Sequence, residues 1–456
     1  MHAEPIQIPY GKATLELSLP MGNDKIQIID TPAIKSEVNS LEKDLTHRLE
    51  QPANAPPLKD MVEKYHRGSG RNILILTDDN TRPNAHTKRI HPLVLDYLTG
   101  ECGVKEEDIR LLVASGTHRP PTEREIREQI LGSPLFQRLK GRILIHDDSQ
   151  NLKSLGETRR GTPITINQSA FQASLLIPIT DSEYHYFAGV AGTVKQLFPG
   201  IAGRMTTNTN HPQMFDRDQG FKPACRLGNT EGNPVISDMK EMAEKLQEYI
   251  PIFCIDAILD HGEITYLNAG DILTLHETAK EKLEKRRVVQ VQKPGDLVII
   301  PMRDRGINLY QAGKGINAAW NAARKPGGII CLLAPCYDGV GSEGYKDSME
   351  AIRDLPVDQA LKWVIKHTCS VETFHIGNQK PVDILRILKS LEDGGIKILS
   401  EMDPKTLRDV YRLDPLPQAT DPQKALQTFL TTYLKENPQA VVYVLKDPGL
   451  YVVPKN

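Results

Sequence analysis

Asn72-Ile73-Leu74-Ile75-Leu76-Thr77 is an uninterrupted apolar run of strand length that stops at the polar Asp78-Asp79-Asn80-Thr81-Arg82-Pro83. A strand apolar on both faces belongs inside a sheet covered on both sides, the usual setting of parallel strands. The next residues repeat the pattern. A helical stretch runs through Ile90-His91-Pro92-Leu93-Val94-Leu95, and Ile109-Arg110-Leu111-Leu112-Val113-Ala114 makes a second buried strand ending in Ser115-Gly116-Thr117-His118-Arg119-Pro120. The next helix opens with Thr122-Glu123-Arg124-Glu125, a capping-box pattern, and closes near Gly132. Strand, loop and helix in alternation predict a parallel sheet whose functional loops leave the C-terminal ends of its strands.

Outward from this core, Ile143-Leu144-Ile145-His146, Ile164-Thr165-Ile166 and Leu175-Leu176-Ile177-Pro178-Ile179 read as further strands. Pro251 to Ile255 and Glu263 to Leu267 read as a strand pair around Asp260-His261-Gly262. Upstream, residues 6–30 alternate in two runs split by Tyr10-Gly11-Lys12, including Thr14 to Leu19, a strand pair expected to cap the first domain. Leu41, Leu45 and Leu49 mark an amphipathic helix closed by Pro52, and a second short helix is expected from Leu58. The charged helical segment Leu275 to Arg287 suits a boundary. Beyond it the grammar restarts: strand Asp296 to Pro301, loop Tyr310-Gln311-Ala312-Gly313-Lys314-Gly315 opening a helix from Asn317 to Arg324, and strand Gly327 to Pro335. The tail Ala440 to Leu445 reads as a final strand, after a turn-rich Pro415 to Pro422. The fold class expected is α/β, two α/β domains with Rossmann-like parallel sheets and the active site in the interdomain cleft. The domains are expected at 1–285, carrying cofactor and catalytic histidines, and at 286–456, contributing substrate contacts.

Bulk properties narrow the function. In 456 residues, 56 Lys+Arg against 58 Asp+Glu leave no basic field for a nucleic-acid backbone. The six cysteines are scattered without C-x-x-C spacing, which points to reduced thiols and a cytoplasmic protein rather than a disulfide scaffold. Met1 to Tyr10 has no signal-peptide pattern, and no apolar window approaches bilayer length, so neither export nor a membrane is expected.

Four segments after predicted strands carry residue types that catalysis uses: Asp79 to Arg82, His118-Arg119, Tyr184 to His211, and Tyr310 to Lys314. Arg82 and Arg119 present planar forks for a carboxylate or phosphate, and each alone is equally a surface arginine. Asp79 can orient a histidine or cap a turn. His118 and His185 both follow strands. Two opposed bases suit inversion of a stereocentre, although a lone loop histidine is usually structural. Tyr184-His185-Tyr186-Phe187-Ala188-Gly189-Val190-Ala191-Gly192-Thr193-Val194-Lys195 lets backbone come close to a ligand. Lys195 is an anchor, a phosphate clamp or a solvated lysine; Gln196 after it breaks a Walker A loop. His211 is a candidate metal ligand without a second ligand at short spacing, and a zinc hydrolase built on His118, His185, His211 and Asp79 stays open. Lys314 is an anion contact or an exposed lysine, and the segment before it has no G-x-G-x-x-G fingerprint for NAD.

Taken in order, Asp79-Asn80-Thr81-Arg82-Pro83, Gly116-Thr117-His118-Arg119, His185, Lys195, His211 and Tyr310-Gln311-Ala312-Gly313-Lys314 resemble the lactate racemase family that uses a nickel-pincer nucleotide, over nearly the whole chain. The resemblance implies that Lys195 tethers the nicotinic-acid-derived cofactor, a pyridinium-3-thioamide-5-thiocarboxylic acid mononucleotide, through a thioamide. Asp79 and Thr81 are implied as further cofactor-binding residues. It implies that His211 completes square-planar nickel coordination alongside two sulfurs and one carbon of the cofactor. His118, His185 and Arg82 are implied as catalytic, and Arg82, Tyr310, Gln311 and Lys314 as substrate-binding. The implied reaction is hydride transfer to the cofactor as a histidine takes the hydroxyl proton, through a 2-keto acid. The implied partners are a small 2-hydroxy acid and the proteins that assemble the cofactor. Thr193-Val194 is bulkier than the more glycine-rich family version. A racemase or epimerase of a larger 2-hydroxy acid or sugar acid, or a homologue that binds the nucleotide without catalysis, is the alternative.

Overall fold

The computed structural model describes residues 5–17, 26–82, 84–417 and 421–455. Ser18, Leu19, Pro83 and part of the Pro415-to-Pro422 turn lie outside the described residues. Contacts divide the chain into two compact units, one of Ile34–Gln213 with Gly228–Glu284, the other of Met1–Ala33, Met214–Leu227 and Lys285–Asn456. This differs from a single cut at 285/286, since two earlier segments join the C-terminal stretch.

The first unit is built on a six-stranded sheet in the order Glu263–Gly270, Cys254–Asp260, Leu175–Asp181, Ile73–Asp78, Ile109–Ala114, Ile143–Ile145. Only the outermost pair, Cys254–Asp260 with Glu263–Gly270, is antiparallel. Ile73 to Thr77 and all of Leu175–Asp181 are buried, as expected of strands covered on both faces. Helix Ala85–Gly100 and the segment after Thr122 pack their apolar sides onto the sheet. That segment starts with a complete capping box, Thr122 with Glu125, and continues as a π-turn to Leu131. Ile164-Thr165-Ile166 is a strand of a separate hairpin, Leu152–Glu157 with Pro163–Asn167. Because Leu175–Asp181, Ile73–Asp78 and Ile109–Ala114 are adjacent and parallel, the loops after Asp181, Asp78 and Ala114 leave one sheet edge side by side.

The second unit holds an all-parallel sheet in the order Asp414–Pro415, Gly395–Leu399, Ile329–Leu333, Leu297–Pro301, Val442–Leu445, Ile26–Ile29. The hairpin Ile6–Tyr10/Ala13–Leu17, expected to cap the first domain, instead buries Ile8, Tyr10, Leu15 and Leu17 against Leu297, Ile299, Cys331 and Leu426 of this unit. Val442–Leu445 is not the last strand: Tyr451–Pro454 comes after it and pairs with Val288–Val291. The segment from Tyr310 to Gly315 is not a loop. It lies inside helix Leu309–Ala322, whose N-cap Asn308 accepts from the Gln311 N–H. Among the described residues no helix is long and apolar enough to cross a membrane.

Candidate active site

Asp79 follows the Ile73–Asp78 strand and His118 follows its neighbour, so parallel pairing alone brings them together. Asp79 Oδ2 lies 2.7 Å from His118 Nδ1. Thr81 donates to Asp79 Oδ1 from both its N–H, at 3.0 Å, and its hydroxyl, at 2.6 Å. Burial works against the Asp79 charge, but His118, Arg82 and Thr81 outweigh it and bring the carboxyl down to about 2. An ionised Asp79 sets the proton of a neutral His118 on Nδ1 and leaves Nε2 as an acceptor. Asn84, in the left-handed region at φ 55°, donates to the carbonyls of Asp79 and Arg82 and fixes the turn between them. The Arg82 guanidinium is surrounded by carboxylates: burial opposes its charge, while Glu183, Asp79, Asp78 and Asp181 hold it firmly protonated.

Past Asp181 the chain forms a two-residue hairpin, Tyr184–His185 with Gly189–Val190. At its turn the Ala188 N–H donates to His185 Nδ1 at 3.2 Å. A neutral His185 thereby carries its proton on Nε2, the opposite tautomer from His118. Three candidate side chains gather around the ring of Phe187. It meets His185 edge-on at 4.4 Å and His211 at 5.3 Å, and Lys195 Nζ stands 5.5 Å from its centroid. His211 ends helix Arg204–Asn210, anchored through Asn210, which donates to the Val235 carbonyl and to Asp238. Burial, and then the neighbouring Lys195 and His118, keep His211 neutral, the form in which imidazole ligates metals. Burial, and then Arg82, depress the Lys195 amine to about 7.

Asp79, Thr81, Arg82, His118, His185, Lys195 and His211 therefore all belong to the first unit. Tyr310, Gln311 and Lys314 belong to the second, in the first two turns of helix Leu309–Ala322. There the Tyr310 hydroxyl accepts from Gln379 Nε2 at 3.2 Å. Sequence reasoning gives Phe187 no role, because an aromatic in a glycine-rich run reads as core. It also passes over His86 and Asp181. The His86 ring lies between two carboxylates, with Nε2 3.4 Å from Asp78 and Nδ1 4.0 Å from Asp181. These three form the one cluster of potential metal-ligating groups among the described residues. Carboxylates on opposite ring nitrogens mark an ion-paired imidazolium, and His86 is held charged by Asp181 and Asp78 against its burial. His118, His185, His211 and Asp79 form no such cluster among the described residues.

The sequence matches the lactate racemase N-terminal domain over residues 10–221 and the lactate racemase C-terminal domain over residues 295–448. The chain belongs to the lactate racemase family. The relatives named below are racemases, which indicates that the chain is an isomerase. It is 33% identical over 347 residues to the lactate racemase of Thermoanaerobacterium thermosaccharolyticum, covering 75% of this chain and 76% of that one. It is 29% identical over 363 residues to the lactate racemase of Lactiplantibacillus plantarum, covering 78% and 81%. The solved lactate racemase apoprotein of T. thermosaccharolyticum superposes with a TM-score of 0.81 at 26% identity, over 99% of this chain and all of that one. A Thermotoga maritima protein shares the fold, with a TM-score of 0.64 at 17% identity over 92% of this chain. The family is compatible with a nickel cofactor. His211 fits a metal ligand in that it is buried and held neutral, the form in which imidazole binds a metal.

Proposed function

We propose that the chain racemises 2-hydroxy acids, lactate first among them, with a nickel-pincer nucleotide held at Lys195 and His211. The observation that carries this reading is the Phe187 ring with His185, Lys195 and His211 around it. The name of both curated relatives supplies lactate as the first substrate to try. Lys195 is the tether, because an amine depressed to about 7 is substantially unprotonated near neutrality and can form an amide-type bond. His211 would supply the protein ligand to nickel, and Asp79 and Thr81 would help to hold the nucleotide.

Inverting a 2-hydroxy acid requires that its C2 lose a hydrogen and become planar. The chemistry that the nucleotide supplies when bound is reversible acceptance of that hydrogen with its electron pair. His118, with Nε2 open, accepts the hydroxyl proton as the C–O bond becomes C=O, and Asp79 steadies the resulting imidazolium. His185, once protonated to the imidazolium, returns a proton to the keto oxygen, so the 2-keto acid can be reduced on either face. Arg82 offers a permanent cation to the substrate carboxylate. Tyr310, Gln311 and Lys314 of the second unit, with Tyr310 and Lys314 one turn apart on the same helix face, are the further substrate-binding residues of this reading. With all six cysteines buried, the reading places the enzyme in the cytoplasm, served by cofactor-assembling proteins.

Protein purified from a host that makes the cofactor is expected to show a mass adduct on Lys195 and one nickel per chain. Chiral analysis should show racemisation within a panel running from lactate to larger hydroxy and sugar acids. His118→Ala and His185→Ala are each expected to lower kcat by about 10²–10⁴ with nickel retained, whereas His211→Ala should lose the metal. Bound zinc with an unmodified lysine would overturn the reading, and nickel without turnover of any acid would leave a binding protein only.

A further inference from the structure

Lys195 sits on a four-residue helix, Val194–Leu197, far too short to hold its own shape. The turn that starts it is strained. The Lys195 N–H donates to the Gly192 carbonyl at 2.9 Å, closing a turn with Gly192 at φ 82° and Thr193 at φ 41°, ψ −112°. Glycine takes such angles freely, whereas a β-branched residue takes them only under compulsion. The compulsion is visible. The buried Thr193 donates its N–H to Thr180 Oγ1 at 3.2 Å, and its hydroxyl meets His276 Nδ1 at 2.8 Å. Thr180 and Ser182 in turn donate to Asp256 Oδ1, at 2.5 and 2.9 Å. A Cβ at Gly192 would meet Ser182 Oγ at 2.5 Å and the Asp181 carbonyl at 2.8 Å, so this side of the turn has no slack.

The residue on the other side of the lysine is also tied down. Gln196 Nε2 donates to Asp78 Oδ1 at 3.0 Å and to the Ile179 carbonyl at 2.8 Å. Asp78 is paired with the buried His86. The Gly200 N–H, donating to the Lys195 carbonyl at 3.1 Å, closes the far end, and the Gly200 carbonyl accepts from Gly116 in the loop that bears His118. We infer that Thr193, through His276, and Gln196, through the Asp78–His86 pair, are positioning residues that hold the Lys195 amine at one point beside Phe187. None of them touches the chemistry. A fixed amine gives up little freedom when it meets the cofactor, which is the advantage of preorganisation.

The inference rests on Lys195 being the cofactor's anchor, but it is tested on protein made without cofactor. Trace acetylation with acetic anhydride across a pH series, read by mass spectrometry of the Lys195 peptide, gives the midpoint at which this amine becomes reactive. Arg82, His211 and His276 are the charged and titratable groups that interact with it. The wild-type midpoint is expected near 7. Thr193→Gly accepts the backbone angles and should fold with an unchanged or higher Tm, yet shift the midpoint upward by a unit or more, cutting the reactive amine at pH 7 about fivefold or more. Thr193→Ser should restore it, and His276→Phe and Gln196→Met should shift it in the same direction. Folded Thr193→Gly and Gln196→Met proteins that both keep the wild-type midpoint would overturn the brace. An unmodified Lys195 in cofactor-loaded protein would overturn the anchor and leave the labelling result standing.

Discussion

Asp79 and Asp256 are both almost fully buried, and their carboxyls move in opposite directions because of what surrounds them. Asp79 faces His118 and Arg82 and stays ionised down to about 2. Asp256 has the hydroxyls of Thr180 and Ser182, and the charge of His86, to set against burial and the nearby Asp181, and these do not prevail: it is pushed up to about 7. Its folded pKa exceeds the unfolded value near 3.9. Between roughly pH 4 and 7 the folded protein therefore binds the proton that the unfolded chain has released. The consequence is that this group's contribution to stability falls as pH rises through that window, by up to about 1.4 kcal/mol per pH unit. Chemical denaturation of wild type and Asp256→Asn at pH 5 and pH 8 checks this. The variant is expected to gain on the wild type as pH rises, and parallel curves would exclude Asp256 as the proton holder. Asp79 and His118 were legible from residue type and from their place after neighbouring strands. The direction of each carboxyl was not, because it depends on side chains distant in sequence.

Among the elements, the buried strands were the easiest to read, since a run apolar on both faces has one comfortable setting. Helix Leu309–Ala322 was harder. Gly313 and Gly315 lower the helix propensity of its first turns enough to suggest a loop. Packing reverses the preference: a Cβ on Gly315 would meet Met302 Sδ at 2.2 Å, so the glycine is what lets the helix approach the adjoining segment. The hairpin that carries His185 depends on a similar close approach. Gly189 has φ 81°, and a Cβ there would lie 2.2 Å from the backbone carbonyl oxygen of Asn229, which cannot swing aside. Gly189→Ala is expected to cost about 2 kcal/mol or more, read by urea titration. It should also weaken catalysis by displacing His185. A variant of unchanged stability would mean that the Asn229 segment yields readily.

At the scale of the molecule, the N-terminal residues are the least local feature. Strand Ile26–Ile29 forms the edge of the second unit's sheet beside Val442–Leu445, more than four hundred residues away in the chain. Ile8, Tyr10, Leu15 and Leu17 complete that unit's core. Removing them forfeits the burial of four large side chains, worth about 6–12 kcal/mol together, comparable to the entire stability of a domain. A chain lacking residues 1–33, or the stretch 286–456 alone, is therefore expected to lose cooperative unfolding of the second unit, checked by thermal melts and proteolysis. A sharp, native-like transition in either would refute the assignment. The sequence by itself determined the βα alternation, the parallel sheets and the candidate residues, because periodicity and strand-end position are local properties. Only the tertiary structure decided where the N-terminal hairpin is buried, that Phe187 gathers His185, Lys195 and His211, and that Thr193 bends as a glycine would. Each of these depends on contacts between segments far apart in the chain, and no local pattern encodes them.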